Sequence, residues 1–202
     1  MKIYEEVDKN GKKIDARILR SKRDLADSLE TLLEKKNYDD ITIKEICEGA
    51  LVSKLTFYNN FYDKNELLKF MFARRIKEIS IKINALFPTK KTSNEVYKDV
   101  IKIIIHYFYE NKEKFKKMVE NDRSYVMFWN INTFVYELSP LIAPIYNNLV
   151  TFDAPKELIL SYYVGAFSNI IYTLNKKDIN INESDMVNYV YRLTLGTGFK
   201  NN

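Results

Sequence analysis

Three helix starts follow one another between Ile41 and Leu68, and their spacing limits the chain more than any other feature. Thr42-Ile43-Lys44-Glu45 is a capping box, in which the Thr hydroxyl and the Glu carboxylate each satisfy an amide left free at a helix start. Ile41 before it and Ile46 within it form the matching hydrophobic staple. Ser53 is an N-cap for a second helix. Asp63 with Glu66 opens a third, with Tyr62 and Leu67 as its staple. The first two helices therefore have room for only about two turns each, and Ala50-Leu51-Val52 must turn the chain between them. Helices this short are not stable alone. They must pack on each other and on longer neighbours.

Such neighbours are predicted on both sides. Leu25, Leu29, Leu32 and Leu33 recur at helical spacing. That helix begins at a Ser21/Asp24 capping pair or earlier, near Asp15. After Asp63, Leu68, Phe72, Ile79, Ile83 and Leu86 line one face for about six turns, and Phe87-Pro88 stops them. Thr92-Ser93-Asn94-Glu95 caps a helix that Ile103-Ile104-Ile105 makes apolar nearly all round. Further helices are read at 112–119, at 124–138 ending before Pro140 and Pro144, at 155–174 and at 183–195. No strand is needed. The predicted fold is all-α, with a mobile arm at 1–14, a three-helix helix-turn-helix domain at 15–72 and a helical regulatory and dimerisation domain at 73–202, about nine helices in total.

A helix-turn-helix inserts its second helix into the major groove of DNA while the first crosses the backbone. It needs a small inner residue where its two helices meet, a role for Cys47, and apolar anchors beneath, for which Val52, Phe57 and Phe61 are placed. Its outer face must carry hydrogen-bonding groups. Lys54, Thr56, Tyr58, Asn59 and Asn60 supply them. Base reading falls to Lys54, Thr56, Asn59 and Leu55, the last against a thymine methyl. Thr42 and Lys64 are read as phosphate contacts, since helix starts present free amides to phosphate, Tyr58 as another through its hydroxyl, and Ser53 enters the groove with the second helix. A net charge of +5 suits a polyanionic partner, and Arg17, Arg20, Lys22 and Arg23 follow one another with no acid between.

These residues resemble the DNA-binding domain of the TetR/AcrR family of bacterial repressors. The family pattern is a turn of the Ala-Gly-Val-Ser kind, then Thr-Phe/Leu-Tyr-x-x-Phe, then Lys-x-x-Leu-Leu. Here stand Ala50-Leu51-Val52-Ser53, Thr56-Phe57-Tyr58-Asn59-Asn60-Phe61 and Lys64-x-x-Leu67-Leu68. The likeness covers about residues 15–72. Two family glycines are replaced, by Leu51 in the turn and by Leu55 early in the second helix. A leucine at the first position is strained if its φ is positive. The resemblance implies a homodimer made by the last two long helices, with Leu158, Tyr162, Ala166, Ile170, Met186, Tyr189, Val190 and Leu193 as the interface. It implies a palindromic operator in double-stranded DNA and a ligand site in the helical domain. Segment 107–118 also resembles one subgroup of the family.

The aromatic cluster in that domain fits a small apolar ligand, and His106, Tyr107, Tyr125, Phe128, Trp129, Phe134, Tyr163 and Phe167 are the predicted lining. Core packing accounts for any one of them. One Cys and one His give no metal-ligand spacing, so neither metal nor other cofactor is expected. No phosphate loop, nucleophile elbow or His-based triad is present, which argues against an enzyme. No secretory signal or membrane-length apolar run is evident, and a cytoplasmic location is expected. The leading expectation is a dimeric, ligand-released repressor. The alternative is a TetR-like coactivator or protein-interaction factor acting through its helical domain without an operator of its own.

Overall fold

The computed structural model describes residues 14–88, 92–149, 151, 153–177 and 179–195. Most of the arm expected at 1–14 lies outside them. The described residues form nine α-helices and no strand: α1 (Ala16–Leu33), α2 (Ile43–Gly49), α3 (Lys54–Asn60), α4 (Lys64–Asn84), α5 (Ser93–Glu110), α6 (Lys112–Glu120), α7 (Val126–Tyr146), α8 (Lys156–Lys176) and α9 (Glu183–Thr194). A single 3-10 turn, Tyr38–Asp40, precedes α2. The chain divides into two compact units, Met1–Lys77 with Lys117–Asn130, and Glu78–Lys116 with Ile131–Asn202.

In the first unit, local capping sets each helix start. Asp15 accepts from the Arg17 amide at 2.7 Å and opens α1, so Ser21 lies inside the helix and is not its start. The Thr42–Glu45 box is closed in both directions, and Ile41 and Ile46 are both buried. At the end of α2, Val52 N donates to Cys47 O at 3.0 Å and Leu51 N to Glu48 O at 3.2 Å. This pair of bonds is a Schellman motif. It holds Leu51 at φ 55, the left-handed conformation that favours glycine. Ser53 Oγ accepts from Thr56 N and starts α3. At α4, Glu66 N donates to Asp63 Oδ1 and Tyr62 N to Glu66 Oε2, but Tyr62 is exposed and makes no staple with buried Leu67.

The core of this unit joins Leu25, Leu29 and Leu33 of α1 to Ile46, Cys47, Phe57, Phe61 and Leu67. α1 and α2 approach closely at Gly49, where a Cβ would fall against Ser28 Oγ. Residues 117–130, read from sequence as part of the regulatory domain, group with this unit. Asn121 donates to the Glu34 carbonyl, Arg123 N donates to Asn37 Oδ1, and Ser124 Oγ donates to Asp39. Arg74–Asp27 (2.7 Å) and Arg75–Glu30 (3.2 Å) tie α4 to α1.

In the second unit, α5 starts at a second closed capping box, Thr92–Glu95, and packs on α9. Tyr109 donates to Ile181 O at 2.7 Å beside that contact. The sequence expectation ended α7 before Pro140. The helix instead runs through Pro140 and Pro144 to Tyr146. Pro140 has no N–H to give the carbonyl four residues back, and Ser139 Oγ donates to that same Tyr136 carbonyl at 2.7 Å.

Candidate nucleic-acid interface and ligand cavity

Phe57 and Phe61 orient α3. Both are buried, with ring centroids 6.0 Å apart, and Phe61 meets Phe70 at 5.4 Å. Residues four apart share a helix face, so burying 57 and 61 turns 55 and 59 to the opposite side. Lys54, Leu55, Tyr58 and Asn59 are exposed. Thr56 and Asn60 are half-buried and serve the helix itself: Thr56 Oγ1 meets Ser53 Oγ at 2.9 Å, and Asn60 Nδ2 donates to Thr56 O at 2.7 Å. Exposed Thr42 spends its hydroxyl within the capping box.

Lys64 differs from its sequence reading as an outward point charge. Its ammonium donates to Tyr38 O at 2.6 Å and Ile41 O at 2.7 Å, and sits 4.2 Å from the centre of the Tyr38 ring. Burial pushes its pKa down. Lys64 thus braces the 3-10 turn before α2, and two of its three N–H donors are already committed. Cys47 is buried, and burial pushes its thiol up, away from the reactive thiolate form.

The second unit contains a cavity of about 340 Å³ bounded by α5, α7 and α8. Tyr97, Val135, Ile142, Val164 and Phe167 form its apolar depth, and Ser139, Asn147 and Lys156 add polar groups. One wall is a phenol cluster. Tyr146 OH donates to the carbonyl of Thr194 at the end of α9 at 2.6 Å and lies 2.5 Å from Tyr163 OH, whose oxygen is 3.2 Å from the same carbonyl. Burial raises Tyr146 and carries Tyr97 up to about 12. Tyr97 and Tyr146 therefore stay protonated at physiological pH. A second, purely apolar cavity of about 50 Å³ shares Tyr97, Val135, Ile142 and Phe167 with the first.

Residues 25–71, which hold α2, α3 and their flanking helical segments, match the family model for bacterial regulatory proteins of the tetR family. The matched segment is a TetR-type helix-turn-helix. Family members are DNA-binding regulators of transcription. An uncharacterized HTH-type transcriptional regulator, YxbF of Bacillus subtilis (strain 168), is 38% identical over 69 residues, which is 34% of this chain and 18% of that protein. This chain therefore spans well under two thirds of that relative. Over the whole fold it is similar to the fatty acid degradation regulator FadR of Bacillus halodurans, with TM-score 0.67 and 16% identity over 92% of this chain and 97% of that one. Thermus thermophilus FadR, solved with lauroyl-CoA, aligns with TM-score 0.64 and 15% identity over 90% and 96%. At such identities the likeness speaks for the fold alone, an all-α TetR fold.

Within this TetR fold, only two of the predicted ligand residues, Tyr163 and Phe167, line the cavity. Tyr107 stacks on Phe134 at 5.8 Å, and Phe134 is buried in the core of the second unit. His106 is held between Glu183 (3.0 Å) and Glu110 (3.2 Å). Tyr125, Phe128 and Trp129 belong to the other unit, and Trp129 is 63% exposed. Sequence reasoning missed Tyr97, Tyr146, Asn147 and Lys156. The available signal was the helical spacing of 139, 142, 143, 146 and 147, hidden once the prolines were read as a break.

The predicted interface residues also divide. Leu158 and Tyr162 on α8 are 64% and 65% exposed, and Tyr189 and Leu193 on α9 are exposed too. Ala166 and Ile170 are half-buried. Met186 and Val190 are buried against their own subunit, because α9 turns them toward its packing partner α5, and they are withdrawn from any outer face.

Proposed function

We propose that this chain is a dimeric TetR-family repressor that binds a palindromic operator and is released by a small molecule held in the 340 Å³ cavity. The observation that carries the DNA-binding part is the outward face of α3. Lys54, Leu55, Tyr58 and Asn59 stand exposed over buried Phe57 and Phe61, on a helix, an element that the major groove admits. Dimerisation is supported by the apolar side chains that α8 and α9 leave exposed, Leu158, Tyr162, Tyr189 and Leu193. A two-fold dimer requires half-sites related by the same symmetry, about one helical turn apart or somewhat more. A ligand releases DNA only if it binds more tightly to a head spacing that mismatches the operator. The route of that coupling is α4, one helix from Lys64 to Asn84. Thermus thermophilus FadR with lauroyl-CoA offers a precedent for a small molecule on a protein of this fold.

The test is selection of duplexes from a random library by the purified chain, with its mass followed by sedimentation. A palindrome bound by a dimer is expected. A monomer that enriches no sequence, while retaining a protein from a cell extract, would replace this reading with the interaction-factor alternative.

A further inference from the structure

The cavity carries information about its ligand that the fold alone does not. Its depth is apolar, and Tyr146 and Tyr163 spend their hydroxyls on each other and on Thr194 O. Ser139 spends its hydroxyl on the Tyr136 carbonyl, and the remaining polar side chains besides the phenols are Asn147 and Lys156, where α7 ends and α8 begins. Lys156 is the one charged residue among its described lining residues, and no carboxylate accompanies it there. At the far end, the smaller cavity continues behind Tyr97, Val135, Ile142 and Phe167 with further aliphatic side chains such as Ile104 and Ile171.

We infer that the cavity takes a medium-chain aliphatic carboxylate, head on Lys156 and Asn147, tail directed past Phe167 toward the smaller cavity. Size sets the chain length. An apolar cavity of 150 Å³ holds one benzene, so 340 Å³ holds roughly a dozen non-hydrogen atoms or slightly more, a carboxylate of about ten to twelve carbons. A cationic amphiphile is disfavoured by the ammonium of Lys156, and a polar ligand would leave its groups unpaired against aliphatic walls. This inference rests on the cavity being the ligand site of the proposed function, and its test is read by direct binding so that the two can fail separately.

The experiment is calorimetric titration of the full chain with linear carboxylates from hexanoate to hexadecanoate, beside 1-decanol and decylamine. Affinity should peak at about ten to twelve carbons. Decanoate should bind more tightly than decanol, and Lys156→Gln should weaken decanoate about tenfold, the worth of a charge-assisted hydrogen bond, while leaving decanol within about twofold. Ala143→Leu, adding bulk to the cavity lining, should move the optimum to shorter chains. Both positions are exposed, so the fold should survive both changes. Equal binding of decanoate and decanol that Lys156→Gln leaves unchanged would overturn the head-group assignment. Affinity climbing steadily with length and indifferent to Ala143→Leu would overturn the cavity as the site. Decanoate that binds as described but leaves the operator complex intact upholds this inference and refutes release by ligand.

Discussion

Leu51 offers a measurable strain. It sits at φ 55 between the two hydrogen bonds that close the end of α2, Val52 N to Cys47 O and Leu51 N to Glu48 O. A side chain in the left-handed region costs about 1–2 kcal/mol relative to the right-handed one. Leu51 is 93% exposed, so removing it forfeits almost no burial. Against the relief stands the extra freedom a glycine gives the unfolded chain, about 0.4–1 kcal/mol. Leu51→Gly should therefore gain about 0.5–1 kcal/mol, a Tm rise of about 1–4 °C for a chain of this size. Leu51→Asn, which tolerates the same φ without glycine's entropy, should gain as much or more. Leu51→Ala keeps the Cβ and the strain, and should stay within about 0.5 kcal/mol of wild type. Urea denaturation of the four proteins, with m-values compared, reads the series. If alanine gained as much as glycine, the benefit would come from losing an exposed leucine. If glycine lost stability, the argument from φ would be wrong.

Gly49→Ala in an ordinary helix interior would stabilise by about 1 kcal/mol, but here the added Cβ meets Ser28 Oγ, which donates to Ile46 O at 2.9 Å. A loss of about 1–3 kcal/mol is expected, shrinking in a Ser28→Ala background in a double-mutant denaturation cycle. The Glu45 carboxyl is held down to about 2 from an ordinary 4.5 by its hydrogen bond with Lys36, then by the Thr42 amide and hydroxyl. Its contribution is therefore complete above about 4.5 and lost as pH falls toward 2. Glu45→Gln should flatten the acid limb of Tm against pH, and superimposable curves would refute the pairing. Lys54→Ala should lower the salt slope of operator binding by about 1 if its ammonium meets phosphate, or relax one base position if it reads a base. A gel shift unchanged at every salt concentration removes Lys54 from the interface. Replacing a thymine that Leu55 covers by deoxyuridine deletes one methyl, worth about 0.8 kcal/mol or fourfold in binding. Leu55→Gly should be blind to that replacement, and equal sensitivity in both proteins would place the contact elsewhere.

The reading head was legible because its determinants are local. Thr42 with Glu45, Ser53, and Asp63 with Glu66 each settle a helix start within four residues, and the structure closes all of these caps. Phe57 and Phe61, buried and four apart, turn Leu55 and Asn59 outward, whereas Lys54 and Tyr58, three residues before each anchor, are exposed without that rule requiring it. Lys64 was the exception in this region. Its motif placed it at a helix start facing phosphate, whereas its acceptors, Tyr38 O and Ile41 O, lie more than twenty residues back and carry no signature. The same limit divided α9. Apolar residues at 186, 189, 190 and 193 promised one face, and only packing against α5 decides that Met186 and Val190 turn inward while Tyr189 and Leu193 stay out.

The cavity shows how one local misreading hides a site. Density of aromatic residues pointed to Tyr107, Trp129 and Phe134, yet ring count does not distinguish a filled core from a hollow one. What hollows this unit is the course of α7. Ser139 caps the Tyr136 carbonyl that Pro140 cannot serve, and the helix continues to Tyr146. Continuity places Ser139, Ile142, Ala143 and Tyr146 on one side, three or four residues apart, which is the spacing of a helix face, and all four line the cavity. A chain broken at Pro140 would lose that common face. The Tyr146 hydroxyl would then have no fixed approach to Tyr163 and Thr194. The prolines that read as the end of an element therefore lie inside the helix that walls the cavity.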